Sequence, residues 1–158
     1  MCLFLSTIVA EHCTGEINFN LQYAMNGCLS GLVAITAGCS VVESWASIVI
    51  GLVAGGLYLV FSKLLVKRKI DDAVDAIPVH MINGMWGAIS VGLFSEPNLQ
   101  KAVYGTDEHV GWFYEWGRGS GDGTLLACQL VGILFVIGWV TCTMAPFFWM
   151  LHYFGYLR

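Results

Sequence analysis

Charge is what this sequence has least of. Asp, Glu, Lys and Arg make up 11% of its 158 residues, against about a quarter in soluble domains. That scarcity excludes an ordinary water-facing surface around a single core. No Cys-x-x-Cys pair occurs among the six cysteines, which leaves neither a disulfide framework nor a zinc-ribbon spacing. Cys28, Cys39, Cys128 and Cys142 fall in or beside apolar stretches and are expected to be small buried hydrophobes. Basic residues are equally sparse: the one cluster is Lys63, Lys67, Arg68 and Lys69. A nucleic-acid-binding face is excluded on that count. No internal repeat is visible. Met1–Ala10 is apolar but too short to span a bilayer, has no basic leader and runs into Glu11. It is expected to be the end of a truncated helix rather than a signal peptide.

What fills the chain instead is apolar sequence, 57% of all residues. Four stretches carry no formal charge: 17–42, 44–62, 76–95 and 123–157. A helix needs about 20 apolar residues to cross the hydrocarbon core. The expected fold is therefore all-α, a polytopic membrane helical bundle forming one domain over residues 1–158. Its full spans should lie near Gln22–Val42, Trp45–Val66, Ala73–Phe94 and Leu125–Leu151.

The basic cluster orients these spans. Loops rich in Lys and Arg stay cytoplasmic, so Lys63–Asp72 should face inward. Alternation places Ser40–Ser44 and Ser95–Thr124 outside, and Glu11–Phe19 and the C-terminal Arg158 inside. The outer loop holds five acids, Glu96, Asp107, Glu108, Glu115 and Asp122, against Lys101 and Arg118. Trp45, Trp112 and Trp116 suit interfacial anchoring. Gly27-x-x-x-Gly31 and Gly51-x-x-x-Gly55 present small faces on consecutive spans, the pattern of close helix packing.

His80 stands apart because it lies inside the charge-free run Ala76–Ser95. An ionisable group at membrane depth is costly and by default marks a functional pathway. Imidazole also titrates nearest physiological pH. At about 100° per residue, Asp72, Ala76, Asn83, Gly84 and Gly87 fall within roughly 80° of His80. That stripe is small and polar, suiting either a narrow passage or a close helix contact. The competing reading is a histidine hydrogen-bonded between helices for packing alone. Pro78 is expected inside the helix, freeing the carbonyl of Val74 and kinking the backbone.

Three segments resemble the ammonium transporter family. They are NGCLSGLVAITAGCSVVESWASIVIGLVAG (Asn26–Gly55), DDAVDAIPVHMINGMWGAISVGLF (Asp71–Phe94) and LLACQLVGILFVIGWVTCTMAPFFWMLHYFGYLR (Leu125–Arg158). The last is similar to the plant-and-alga-like branch. The resemblance implies an eleven-helix fold of two inverted five-helix repeats plus a final helix, of which this chain is the C-terminal part. It further implies an integral membrane homotrimer in the lipid bilayer of the plasma membrane, with a cytoplasmic C-terminus. His80 matches the second of a pair of pore histidines, with Ala76, Asn83 and Gly84 beside it on the pore wall. Asp72 and Asp75 match acidic positions on the pore helix. The sequence departs from the family pattern at Ser44, where proline is common, and at Ile82-Asn83-Gly84, which replaces a glycine-richer run.

The implied substrate is ammonium, moved as ammonia. Transferring an ammonium-sized ion into a low-dielectric medium costs on the order of 20 kcal/mol in the Born limit. Shedding the proton avoids most of that, and an imidazole can relay the proton because either ring nitrogen donates or accepts. Asp72, roughly 12 Å from His80 along the axis, is too distant to touch it. It is expected to cap the helix or bias the local potential. No enzyme activity, cofactor or metal is expected: His12, His109 and His152 lie in loops or at a helix end, so no second deep histidine completes a haem site. The alternative is an ammonium sensor on the same fold with little flux. A pore built between two inverted repeats needs both, so residues 1–158 alone are not expected to transport.

Overall fold

The computed structural model describes residues 21–156. Met1–Ala10 lies outside the described residues. Six α-helices and one π-helical turn account for the described architecture: α1 (Leu21–Thr36), α2 (Ser44–Lys67), a π-turn (Ile77–Ile82) running directly into α3 (Asn83–Phe94), α4 (Pro97–Tyr104), α5 (Trp112–Arg118) and α6 (Thr124–Tyr153). There are no strands among the described residues. Three segments are long and apolar enough to cross a membrane: Ser44–Lys67, Ile77–Phe94 and Thr124–Tyr153.

Local chemistry explains the helix ends. The side chain of Glu96 accepts from the backbone N–H of Leu99 at 2.6 Å, and Pro97 occupies the first turn, where a missing N–H costs nothing. Gly105 ends α4 with φ +78°, the left-handed conformation glycine adopts freely. α2 closes on Lys67, a cation in the last turn of the helix. The expected outer loop Ser95–Thr124 thus contains two short helices, α4 and α5. The first expected span ends earlier than its apolar run: α1 stops at Thr36, and residues 37–42 form turns.

Packing uses small residues to bring backbones together. Ala34 of α1, Ala46, Ile50 and Ala54 of α2, and Phe94 of α3 form one buried cluster. Tyr58, Leu59 and Val79 form a second, with Tyr23 and Val33 against it. A Cβ added to Gly87 would lie 2.6 Å from the carbonyl oxygen of Ala34, so α1 and α3 are in backbone contact there. Gly27 and Gly55 are buried and Gly31 is half-buried. Gly51 differs from its expected packing role: a Cβ there would meet nothing within 4 Å.

The two ends of the bundle differ. At one, the backbone N–H of Glu96 donates to Val41 (2.8 Å), that of Gly111 donates to Ser95 (2.9 Å), and Tyr114 Oη donates to Glu43 (3.1 Å). At the other lie Ser62, Asp75 and the basic stretch after Lys67. α6 packs principally on α3 and has no buried residue. Cys28, Cys39, Cys128 and Cys142 are free and exposed on the outside of the bundle. That corrects the expectation of burial: lipid tails are as apolar as a core, so hydropathy does not separate a lipid-facing position from a buried one.

Candidate functional site

The site is built from the start of the third spanning segment. Asp72 precedes the helix, and its two carboxylate oxygens accept from the backbone N–H groups of Ala76 (2.9 Å) and Ile77 (2.8 Å). This is capping of otherwise orphaned donors. The helix begins at Ala76 rather than Ala73. Pro78 therefore sits in the first turn, where its missing N–H is tolerated, and Val74 lies before the helix. The kink expected from Pro78 within the helix is replaced by a change of winding.

Asp75, at φ +56°, joins three elements. Its Oδ2 accepts from Asn26 Nδ2 (3.2 Å) and Tyr58 Oη (2.9 Å), and its Oδ1 accepts from Ser62 Oγ (3.0 Å). The carboxylate fastens the start of the His80 segment to α1 and α2 at once.

From Ile77 to Ile82 the chain is π-helical. Each i→i+5 turn takes in one more residue than an α-turn, and such turns are frequent at functional sites. The consequence is a corrected helical wheel. His80 and Ala76 are exposed, and Gly84 is half-buried. Asn83 and Gly87, expected on the same stripe, turn inward and are buried. Asn83 Nδ2 donates to the carbonyl of Pro78 at 2.8 Å. Asn83 Oδ1 and Ser30 Oγ are wholly buried and have no hydrogen-bond partner among the described residues.

His80 faces a groove of about 490 Å³ between the third spanning segment and α6. Met81, Gly84, Met85 and Ala88 form one wall with it; Gln129, Gly132, Ile133, Val136 and Ile137 form the other. A Cβ at Gly84 would meet nothing within 4 Å, so this glycine leaves the groove open beside the imidazole.

Gln129 was not singled out by sequence. It also lines a second cavity of about 350 Å³ on the loop side, with Ser95, Gln100, Tyr104, Glu108 and His109. A glutamine within a charge-free stretch, three residues before Gly132, was the available signal. Near that cavity, His109 Nδ1 pairs with Asp122 Oδ2 at 2.7 Å. Hydrogen bonds from the Thr124 hydroxyl and backbone N–H, then His109, pull the Asp122 carboxyl down to about 2. Glu96 is also held below the usual carboxylate range, chiefly by the Leu99 N–H. Burial and the bond to Glu43 push the Tyr114 phenol up. No group of three or more metal-ligating side chains occurs among the described residues.

Comparison with known proteins places these features in a family. Residues 2–158 match the model of the Ammonium Transporter Family. The chain is 40% identical over 156 residues to ammonium transporter 1 member 2 of Arabidopsis thaliana, covering 99% of this chain and 28% of that protein. It is 41% identical over 158 residues to ammonium transporter 1 member 1 of Solanum lycopersicum, covering 99% of this chain and 30% of that one. The chain thus spans under a third of the length of these relatives. Its fold superposes on Mep2 of Candida albicans with a TM-score of 0.81 at 23% identity, covering 99% of this chain and 33% of the other. Mep2 of Saccharomyces cerevisiae gives a TM-score of 0.81 at 21% identity, covering 99% and 34%. This all-helical chain, with a histidine on the groove wall of a membrane-length helix, belongs to the Ammonium Transporter Family.

Proposed function

We propose that this chain supplies one wall of an ammonium-conducting pore, with His80 handling the proton that ammonium releases. The observation that carries the reading is the exposure of an imidazole on an apolar groove within a membrane-length segment. Family membership supports the substrate. The lining is almost entirely apolar, which disfavours a cation and leaves neutral ammonia as the species with the lower barrier. His80 is one member of a pore histidine pair; Ala76 and Gly84 leave room beside it. Asn83 acts from behind the wall. Asp72 and Asp75 hold the helix start that presents the wall.

The protein works as a homotrimer in the plasma membrane, with its C-terminus cytoplasmic. The basic cluster after α2 supports that orientation.

The test is ammonium-dependent current in oocytes expressing the complete gene. His80→Ala should lower current per surface carrier by about tenfold or more. Unchanged current in that variant would overturn the relay. Ammonium binding with no flux in the unaltered protein would favour the sensor reading instead.

A further inference from the structure

Asn83 is the residue at which the π-turn gives way to α-helix. Its side-chain amide reaches back five residues to the carbonyl of Pro78. Its backbone N–H reaches back three, to the carbonyl of His80 itself. One residue therefore holds the backbone on both sides of the imidazole. In plain α-winding the Pro78 carbonyl would be taken by the N–H of Ile82. In π-winding it would be taken by the backbone N–H of Asn83; that N–H goes to His80 instead, and the Asn83 side-chain amide reaches the Pro78 carbonyl. Pro78 and Asn83 are both wholly buried, so the bond is shielded from competing water and costs more to lose than an exposed one.

The segment beyond Asn83 is fixed. Gly87 rests on the backbone of Ala34, and Trp86 Nε1 donates to the carbonyl of Ile50 at 3.1 Å. If the turn tightened to α-winding, one residue would leave it. With Asp75 holding the start of the segment on α1 and α2 and α3 fixed beyond it, the change would fall on the part between them, residues 76–82, as up to about 100° of rotation shared along it. His80 is in that part.

We infer that Asn83 is a positioning residue whose paired bonds to Pro78 and His80 hold the π-turn and so aim the His80 imidazole into the groove. It takes no part in proton transfer. The effect on transport rests on the proposed function, whereas the effect on His80 exposure does not.

The experiment uses diethyl pyrocarbonate on membranes containing the protein expressed from its complete gene. Carbethoxylation of each histidine is followed by peptide mass spectrometry. Asn83→Ala should change the rate at His80 several-fold while His109 and His152, both exposed elsewhere, keep theirs. Current should fall in the same variant, and His80→Ala combined with Asn83→Ala should be no worse than His80→Ala alone. An unchanged His80 rate in membrane-inserted Asn83→Ala overturns the inference, whatever the current does. A shifted rate in a protein that carries no ammonium current sinks the transport reading and upholds the positioning one. If Asn83→Ala does not reach the membrane, Asn83→Ser, whose shorter side chain cannot span to Pro78, is judged by the same rates.

Discussion

Tyr58 donates its phenolic proton to Asp75 Oδ2 at 2.9 Å, tying the middle of one spanning helix to the start of the next. Because Asn26 and Ser62 donate to the same carboxylate, Asp75→Ala would strand three donors. The expected loss is about 2–5 kcal/mol. Asp75→Asn can still accept from Tyr58 and Asn26 while its amide donates to Ser62, and should cost about 1 kcal/mol. Unfolding in mixed micelles measures both; equal losses would show that the carboxylate is not the fastening.

Gly84 and Gly87 separate space from contact. Gly87→Ala drives a methyl against the Ala34 carbonyl and should destabilise by about 1–3 kcal/mol. Gly84→Ala meets open space and should be neutral or gain up to about 1 kcal/mol in helix propensity. Gly84→Leu should fill the groove beside His80, lowering ammonium uptake without lowering thermal stability. The reverse ranking of the two alanine variants in a melting assay would refute this packing.

The proposed orientation puts the Lys67 end of the bundle inside and the Tyr104 end outside. A membrane-impermeant thiol reagent added outside should label Tyr104→Cys and spare Lys67→Cys, both being exposed positions. Labelling of Lys67→Cys alone would invert the topology.

The loop 95–124 should be acid-sensitive in one direction. The Asp122 carboxyl is held near 2, below its ordinary 3.8. A depressed carboxyl stabilises the folded loop above its ordinary value, and that contribution is lost as pH falls through about 2. Protection of the Thr124 amide from hydrogen exchange, corrected for intrinsic rate, should decline across that window. Asp122→Ala should show low protection with no such decline.

Much of this arrangement was legible in the residues, and the rest was hidden for identifiable reasons. His80 announced itself because imidazole within a charge-free run is costly, and the helices 44–67 and 124–153 follow from length and hydropathy. Asn83 and Gly87 were placed on the wrong face because the wheel assumed uniform α-winding; nothing in Ile77–Ile82 advertises an extra residue per turn. Asp72 could be read as a cap, but the convergence of Asn26, Tyr58 and Ser62 on Asp75 is a tertiary fact. The helices 97–104 and 112–118 were missed because the stretch 95–124 was read from charge and span alternation alone, which do not register short helices bounded by Pro97, Gly105, Gly111 and Gly119.

The packing of the last helix bears on the order of assembly. Half the groove wall, from Gln129 to Ile137, belongs to an element that follows every other described element in the chain and docks principally on one neighbour. During synthesis the His80 face is thus made before the surface that closes it. Until 124–153 inserts, the groove lacks its second wall, and Gly92, whose Cβ position lies 2.7 Å from the Cα of Leu126, is the notch into which the arriving helix must seat.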